Sequence, residues 1–180
     1  APRRRESRSW LHLRVTVRNF SGLEQVEVPD TFVGQLRGYQ REGLSWLKFL
    51  GDFNFGGCLA DDMGLGKTVQ TLTFFQHYKN INPGARFLVV CPTTLMYNWE
   101  NEINKFTPEL THIIHHGPKR AVDPGIYSAV EIIITTYGTM RGDIKAFKEI
   151  PFDYVVLDES QSIKNPQSQV AKASLLLNSK

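Results

Sequence analysis

The stretch Cys58–Thr68 constrains the fold more than any other part of this 180-residue chain. A short apolar run leads into a turn with two glycines, Lys67 and Thr68 follow, and residues 69–79 contain no helix breaker. Glycines let successive backbone N–H groups point at phosphate oxygens, and the N-terminus of a following helix adds a positive dipole end. The stretch therefore predicts a strand, a phosphate-binding loop and a helix in a nucleotide-binding α/β protein.

The residues of this loop have separate expected roles. Lys67 would neutralise the outer phosphates, and Thr68 would offer its hydroxyl to a magnesium ion. The remaining loop positions expected at the nucleotide are Met63, Gly64, Leu65 and Gly66. Asp61 stands where the usual pattern has a small residue. The alternative is a glycine-rich turn that ends in Lys-Thr by chance, so a second motif is needed to support nucleotide binding.

An acidic strand provides that second motif. Tyr154–Leu157 is a continuous apolar run, typical of a fully buried parallel strand, and Asp158 and Glu159 follow it directly. Asp158 would reach the magnesium ion through water, and Glu159 would orient or deprotonate the water that attacks the terminal phosphate. Alone, the pair fits a solvated turn equally well. Together with the loop it predicts nucleotide hydrolysis, with Lys67, Asp158 and Glu159 as the catalytic residues.

A helix predicted at about residues 35–50 carries a side chain suited to contact the base of the nucleotide. Near its start, Gln40 carries a hydrogen-bond donor and acceptor side by side, which suits the N6 and N7 edge of adenine. Arg37 lies in the same opening turn and is included in the expected nucleotide site. The alternative is an exposed helical glutamine without a binding role.

Two further apolar strands, Phe87–Val90 and Ile132–Ile134, each lead into hydroxyl side chains. These are Thr93 and Thr94 after the first strand, and Thr135 and Thr136 after the second. At the carboxyl ends of parallel strands these hydroxyls could form one polar ledge for the phosphates of a nucleic acid, whereas Thr93 and Thr94 could instead simply cap the following helix. Strands that alternate with helices predict a doubly wound parallel sheet with helices on both faces.

Composition indicates the number of domains and the cellular setting. An apolar fraction of 41% and a charged fraction of 22% suit one soluble domain with an appendage. No apolar run has the length of a membrane span, and no signal peptide is evident, so a cytosolic or nuclear protein is expected. Cys58 and Cys91 each fall in a predicted buried strand, which indicates packed thiols.

Residues 1–29 are expected to form a basic leader, disordered to about residue 9, with a half-buried edge strand at Leu11–Val17. Six arginines and one glutamate fall in the first 18 residues. Such a leader could touch nucleic acid, or it could be a solvated segment with no partner.

Five ordered motifs closely resemble those of the first lobe of SWI/SNF-type ATPases of helicase superfamily two. They are LRGYQREGLSWL at 36–47, DDMGLGKTVQ at 61–70, VCPTTLMYNW at 90–99, ITTY at 134–137 and DESQSIKNP at 158–166. That family carries Asp-Asp-Met-Gly at the loop, so Asp61 fits the pattern, whereas Ser160 stands where the family more often has alanine. The resemblance covers about residues 30–180, and Phe55-Gly56-Gly57 is similar to the bacterial branch.

This resemblance implies a RecA-like ATP-binding lobe at 30–180, with ATP and Mg²⁺ as cofactors. It implies a parent protein, in the bacterial nucleoid or the nucleus, that moves along double-stranded DNA without separating its strands. A histone, an RNA polymerase or another bound protein would then be displaced or remodelled. In that family pattern Gln40 contacts adenine, and Thr93, Thr94, Thr135 and Thr136 follow the DNA backbone. A second RecA-like lobe would supply an arginine finger, so the isolated chain is expected to hydrolyse ATP poorly.

Two alternatives share much of this pattern. A helicase stimulated by RNA or single-stranded DNA would use the same nucleotide site. A non-catalytic interaction domain would have a decayed site, but Lys67, Thr68, Asp158 and Glu159 are all present.

Overall fold

Within the part of the chain that the structure describes, four short parallel strands form the central sheet. The computed structural model describes residues 22–62 and 64–179, and its strands are β1 Phe87–Cys91, β2 His112–His115, β3 Ile132–Thr136 and β4 Tyr154–Leu157. Their order across the sheet is β2-β3-β1-β4, and Leu88 of β1 is in register with Ile133 on one side and Val155 on the other. Since parallel neighbours need crossover connections, helices lie between successive strands.

Seven helices connect and flank these strands in the described part of the chain. They are α1 Gly38–Asp52, α2 Lys67–Ile81, α3 Met96–Phe106, α4 Pro124–Ser128, α5 Tyr137–Gly142, α6 Ile144–Phe147 and α7 Gln169–Ser174. Short 3₁₀ turns occur at Thr93–Leu95 and Ser160–Ile163. The predicted α/β architecture with a parallel sheet is therefore confirmed.

The sheet separates two apolar cores because alternate strand residues point to opposite faces. On one face, Phe87 and Val89 pack with side chains of α1, α2 and α3, and the rings of Phe75 and Phe87 stack with their centroids 4.1 Å apart. On the other face, Leu88 and Val90 pack with α4 to α7. Helices thus cover both faces, as the strand pattern predicts.

The chain before the phosphate loop departs from the sequence prediction. Residues 56–62 form no strand, and Cys58 is exposed rather than buried, whereas Cys91 lies fully buried in β1. Leu59 borders a cavity of about 660 Å³ that separates this segment from β4. An apolar run becomes a buried strand only where a neighbouring strand accepts its hydrogen bonds. The same cavity explains why β4, predicted to be fully buried, is half-buried along its length.

The helical segment between β3 and β4 is divided in two at Asp143, since α5 ends at Gly142 and α6 begins at Ile144. This carboxylate accepts hydrogen bonds from Arg120 through both oxygens, at 2.5 and 2.9 Å, and lies 2.8 Å from the ring nitrogen Nε2 of His115. The His115 side chain is only 2% exposed and that of Asp143 only 11%. The cluster ties the loop after β2 to the junction of α5 and α6, and its polar pairing accounts for the break in the helix.

This cluster predicts a stability that depends on pH. The hydrogen bond from Arg120 holds the pKa of Asp143 below its ordinary value, with a smaller contribution from His115. A carboxyl group with a lowered folded pKa stabilises the protein above its unfolded pKa of about 4, and that stabilisation disappears as the pH falls through the folded pKa. We expect Asp143→Asn to lower the free energy of unfolding by about 1–3 kcal/mol at pH 7, and by less at pH 3.

Denaturant unfolding at pH 7 and pH 3 measures both effects. The matched control is Asp52→Asn, which removes an exposed ion pair with Lys48 on α1 and should cost less than about 1 kcal/mol. An Asp143→Asn penalty that is equal at the two pH values would contradict the assignment.

The predicted leader at 1–21 and its strand at Leu11–Val17 lie outside the described residues. Within 22–62 and 64–179, no helix is both long and apolar enough to span a bilayer.

Candidate active site

The phosphate loop joins an irregular segment to the N-terminus of α2. Gly64 and Gly66 have φ values of 85° and 81°, in the left-handed region that glycine adopts without steric cost. Gly66 is the residue that precedes α2, a helix of 15 residues that begins at Lys67. The first N–H groups of such a helix have no partner within it and carry the positive end of its dipole. Met63 lies outside the described residues, and the two left-handed glycines before a helix N-terminus are features that favour anion binding.

The first turn of α1 holds this loop through a single carbonyl. The oxygen of Leu65 accepts hydrogen bonds from Gln40 Nε2 at 3.0 Å and from Tyr39 Oη at 3.1 Å. The other half of the Gln40 amide, Oε1, accepts from the backbone N–H of Arg37 at 2.9 Å. Gln40 is only 8% exposed, so the alternative of an exposed helical glutamine is wrong. Its amide joins the helix start to the loop, whereas the Arg37 side chain is exposed and contributes through its backbone.

A positive φ and close packing both favour glycine at Gly66. A Cβ atom there would lie 2.5 Å from Gln40 Nε2, in addition to the unfavourable φ. On the other side of the loop, Asp61 Oδ2 accepts a hydrogen bond from Gln70 Nε2 of α2 at 3.0 Å. Asp61 therefore braces the loop against the helix that follows it, which gives this residue a structural role.

Lys67 lies on the inner side of the loop. Its Nζ donates to the carbonyl oxygens of Asp61 at 2.6 Å and Asp62 at 3.1 Å. Thr68, the next residue, borders the cavity between α2 and β4. An ammonium group and a hydroxyl at a helix N-terminus are the groups expected to contact phosphate and a hard cation.

The backbone and carboxylate of Asp158 are held at four points. Its N–H continues the sheet by donating to Val90 O at 2.8 Å, and its own carbonyl accepts from Tyr137 Oη at 2.7 Å. Carboxylate oxygen Oδ2 accepts from Trp99 Nε1, and Oδ1 accepts from the backbone N–H of Glu159, both at 2.9 Å. Both oxygens are therefore oriented by the protein.

Glu159 has an uncommon backbone conformation. Its φ and ψ are 51° and 53°, the left-handed region, which costs a residue other than glycine about 1–3 kcal/mol. The carboxylate accepts a hydrogen bond from Gln161 Nε2 in the 3₁₀ turn that follows. Strain of this kind is concentrated at functional sites, where the surrounding structure maintains it.

The surroundings of Asp158 keep neighbouring groups protonated. Burial, and then the negative charge of Asp158, raises the pKa of the Cys91 thiol to about 12. The same two causes raise the pKa of the Tyr137 hydroxyl above its ordinary value. At neutral pH Tyr137 therefore remains a hydrogen-bond donor to the Asp158 carbonyl.

One cavity brings the predicted catalytic groups together. Lys67 and Thr68 lie on the side formed by α2, and Asp158 and Glu159 lie on the side formed by the end of β4. A cation and a hydroxyl therefore share a cavity with two carboxylates, a donor set that fits a phosphate chain with a divalent cation. Residues at this site that the sequence interpretation did not select are Tyr39, Gln70, Trp99, Tyr137 and Gln161. All five lie within the five motifs, but their partners depend on the folded structure.

The predicted threonine ledge is present only in part. Thr93 and Thr94 are exposed in the 3₁₀ turn after β1, and neither caps α3, whose preceding residue is Leu95. Thr135 is fully buried and donates its hydroxyl to His115 O at 2.8 Å, so its predicted place on the ledge is corrected.

Thr136 is likewise buried. It is 6% exposed, and its side chain caps α5 by accepting from the N–H of Thr139 at 3.2 Å. Thr136 therefore caps the helix that follows its strand, and its predicted ledge position is corrected. The hydroxyl of Thr135 is thus engaged by His115 O of β2, and that of Thr136 by the N–H and hydroxyl of Thr139. Thr93 and Thr94 are the exposed pair among these four threonines.

A parallel α/β sheet with a braced phosphate loop facing an acidic pair defines the class of P-loop nucleoside triphosphate hydrolases, with a RecA-like fold. The sequence model of the SNF2-related domain matches residues 39–180. The chain belongs to this family.

Several relatives and solved structures are similar to the chain. The Bacillus subtilis protein YwqA is 35% identical over 168 residues, which covers 89% of this chain and 18% of YwqA. The ATP-dependent DNA helicase DDM1 of Arabidopsis thaliana is 37% identical over 148 residues, 77% of this chain and 19% of DDM1. The Sulfolobus solfataricus SWI2/SNF2 ATPase core in complex with dsDNA superimposes with a TM-score of 0.80 at 40% identity, covering 87% of this chain and 32% of that one. The chain thus spans under a fifth of these two relatives and about a third of the solved core.

Proposed function

We propose that the chain is the ATP-binding lobe of a motor that moves along double-stranded DNA and displaces or remodels proteins bound to it. The observation that carries this proposal is the shared cavity that unites Lys67 and Thr68 with Asp158 and Glu159. The similarity to a SWI2/SNF2 core solved with dsDNA supports double-stranded DNA as the partner.

The chain's residues would divide the work of ATP hydrolysis as follows. The Lys67 ammonium would exchange the carbonyls of Asp61 and Asp62 for phosphate oxygens, while the N–H groups at the start of α2 donate to the same phosphates. Thr68 and Asp158 would hold Mg²⁺, directly or through water, since both offer the oxygen ligands that this ion prefers. Mg²⁺ would neutralise charge on the phosphates. Glu159, oriented by Gln161, would accept the proton of the attacking water.

Gln40 would contact the adenine edge and brace the loop at the same time. We expect Gln40→Ala to weaken ATP binding about 3- to 10-fold, the equivalent of one hydrogen bond, and to weaken GTP binding less. The reason is that its amide complements adenine N6 and N7 but not the corresponding edge of guanine. Equilibrium binding of the two nucleotides to wild type and variant measures the change in preference.

The chain offers a matched control for this experiment. Tyr39→Phe removes the other hydrogen bond to Leu65 O without altering the amide that would contact adenine. It should weaken ATP and GTP binding equally and by less than about threefold, because the hydrogen bond is exposed. If Gln40→Ala also weakens both nucleotides equally, Gln40 is a loop brace only.

The DNA contact would lie at the exposed Thr93–Leu95 turn. Thr93 and Thr94 present hydroxyls at the carboxyl edge of the sheet, on the turn before α3, where they can donate to backbone phosphates. Such contacts position a protein on DNA and carry no sequence preference by themselves.

Steady-state ATP hydrolysis tests the proposal. The full-length protein, with the second RecA-like lobe that we infer, would be assayed without nucleic acid and with single-stranded DNA, double-stranded DNA or RNA. Stimulation chiefly by double-stranded DNA is expected, and this chain alone should turn over slowly for lack of the arginine finger of that lobe. Stimulation chiefly by RNA or single strands would instead support a helicase of another branch. Removal of a DNA-bound histone or RNA polymerase, followed in a displacement assay, then identifies the target.

A further inference from the structure

Two aromatic side chains from different helices donate hydrogen bonds to the same aspartate. Trp99 of α3 donates through Nε1 to Asp158 Oδ2 at 2.9 Å, and Tyr137 of α5 donates through its hydroxyl to Asp158 O at 2.7 Å. They are only 3% and 8% exposed, respectively. We call Trp99 and Tyr137 the aromatic clamp.

The aromatic clamp restricts the carboxylate as well as the backbone of Asp158. Because the Glu159 N–H already donates to Oδ1, the Trp99 bond to Oδ2 fixes the plane of the carboxylate. The Tyr137 bond fixes the peptide that joins Asp158 to Glu159, and Glu159 is the residue with the left-handed backbone. Loss of either donor would therefore change where the Asp158 oxygens lie.

Trp99 also connects Asp158 to the proposed DNA contact. The exposed Thr93–Leu95 turn runs directly into α3, so Trp99 follows Thr94 by little more than one helical turn. The indole ring is buried in the core on that face of the sheet, together with Met96 and Ile103 of the same helix. A close-packed helix moves as a unit, so a shift of the turn is passed to the indole N–H.

We propose that Trp99 and Tyr137 are positioning residues that orient the Asp158 carboxylate for Mg²⁺, and that Trp99 couples DNA contact at Thr93–Leu95 to this orientation. The inference rests on the proposed function. It assigns a route by which double-stranded DNA stimulates hydrolysis, from the turn through α3 and the indole to Asp158.

The test uses Trp99→Phe and Tyr137→Phe in the full-length protein. Each change removes one N–H or O–H donor and keeps an aromatic ring. The first measurement is binding of the non-hydrolysable analogue adenylyl imidodiphosphate as Mg²⁺ is titrated, with and without double-stranded DNA. The second is the factor by which that DNA stimulates ATP hydrolysis.

Both variants are expected to need about tenfold more Mg²⁺ for half-maximal analogue binding, because outer partners of a metal ligand have effects of this size. Binding of the analogue without Mg²⁺, and of DNA alone, should change by less than about twofold, well below that metal effect. DNA stimulation should fall about tenfold in Trp99→Phe, a typical size for coupling between two sites. In the wild type, DNA should strengthen Mg²⁺-analogue binding by linkage, and Trp99→Phe should remove that strengthening.

Tyr78→Phe is the matched control. It removes a hydroxyl bond of 3.1 Å to Asp153, at the opposite end of β4 from Asp158. Its Mg²⁺ dependence and DNA stimulation should equal those of the wild type, while its unfolding temperature falls as much as that of Tyr137→Phe. If Trp99→Phe does not fold, the Mg²⁺ titration of Tyr137→Phe tests the positioning role.

Three results would overturn all or part of the inference. If both variants need the same Mg²⁺ concentration as the wild type for half-maximal analogue binding, the aromatic clamp does not position Asp158. Undiminished DNA stimulation in Trp99→Phe would refute the coupling. A wild-type protein that does not respond to double-stranded DNA would overturn the proposed function and the coupling together, whereas the Mg²⁺ titration would still decide the positioning role.

Discussion

Glu159→Gln is expected to stop ATP turnover while ATP binding persists. The substitution keeps the size and shape of the side chain but removes the carboxylate that would accept a proton from the attacking water. General-base groups contribute about 10²- to 10⁴-fold to a rate, so kcat should fall by at least about 100-fold. Because the variant side chain can still pair with Gln161, and Lys67 and Thr68 are unchanged, the Kd for ATP should change by less than about threefold.

Single-turnover hydrolysis and equilibrium ATP binding separate the two quantities in the full-length protein. Glu149→Gln is the matched control, since the Glu149 side chain is 75% exposed and pairs with Lys148 away from the cavity. That control should leave kcat unchanged. Wild-type turnover in Glu159→Gln would remove Glu159 from the proposed role of base.

Lys67→Ala is expected to weaken ATP binding and turnover together. The change removes the ammonium that would offset phosphate charge, and hydrogen bonds to charged groups contribute about 1.5–3 kcal/mol each, which corresponds to about 10- to 100-fold in Kd. It also deletes the donor that joins the carbonyls of Asp61 and Asp62 across the loop. The loop therefore loses an internal support as well as its contact to the ligand.

Titration calorimetry with ATP and Mg²⁺ measures the loss of affinity for this variant. Lys148→Ala serves as the control, because the Lys148 side chain is 47% exposed and forms only a surface ion pair in the described part of the chain. Affinity within about twofold of wild type in Lys67→Ala, far from the expected loss, would contradict the proposed phosphate contact.

Local sequence determined much of the site. The two glycines, Lys67 and Thr68 adjoin one another along the chain, and their conformations follow from backbone geometry and helix formation. Asp158 and Glu159 directly follow an apolar strand, so their position at the carboxyl edge of a parallel sheet also follows from the local pattern. Alternation of strands and helices predicted the parallel sheet, but it also predicted a strand at Cys58 that the structure does not form.

Contacts between distant segments were decided only by the tertiary structure. Trp99 and Tyr137 meet Asp158 across 59 and 21 residues of sequence, and Gln40 reaches Leu65 across 25, so packing of the helices selects these partners. Packing also buried Thr135, whose hydroxyl meets a carbonyl of the neighbouring strand.

The exposure of Cys58 is also a result of the tertiary structure, because no described strand pairs with the segment that contains it. A sequence pattern specifies which side chains are available to a site and which turns the local backbone adopts. Which polar atoms meet is set by the low-energy packing of the whole sheet and its helices, since each buried donor and acceptor must find a partner there.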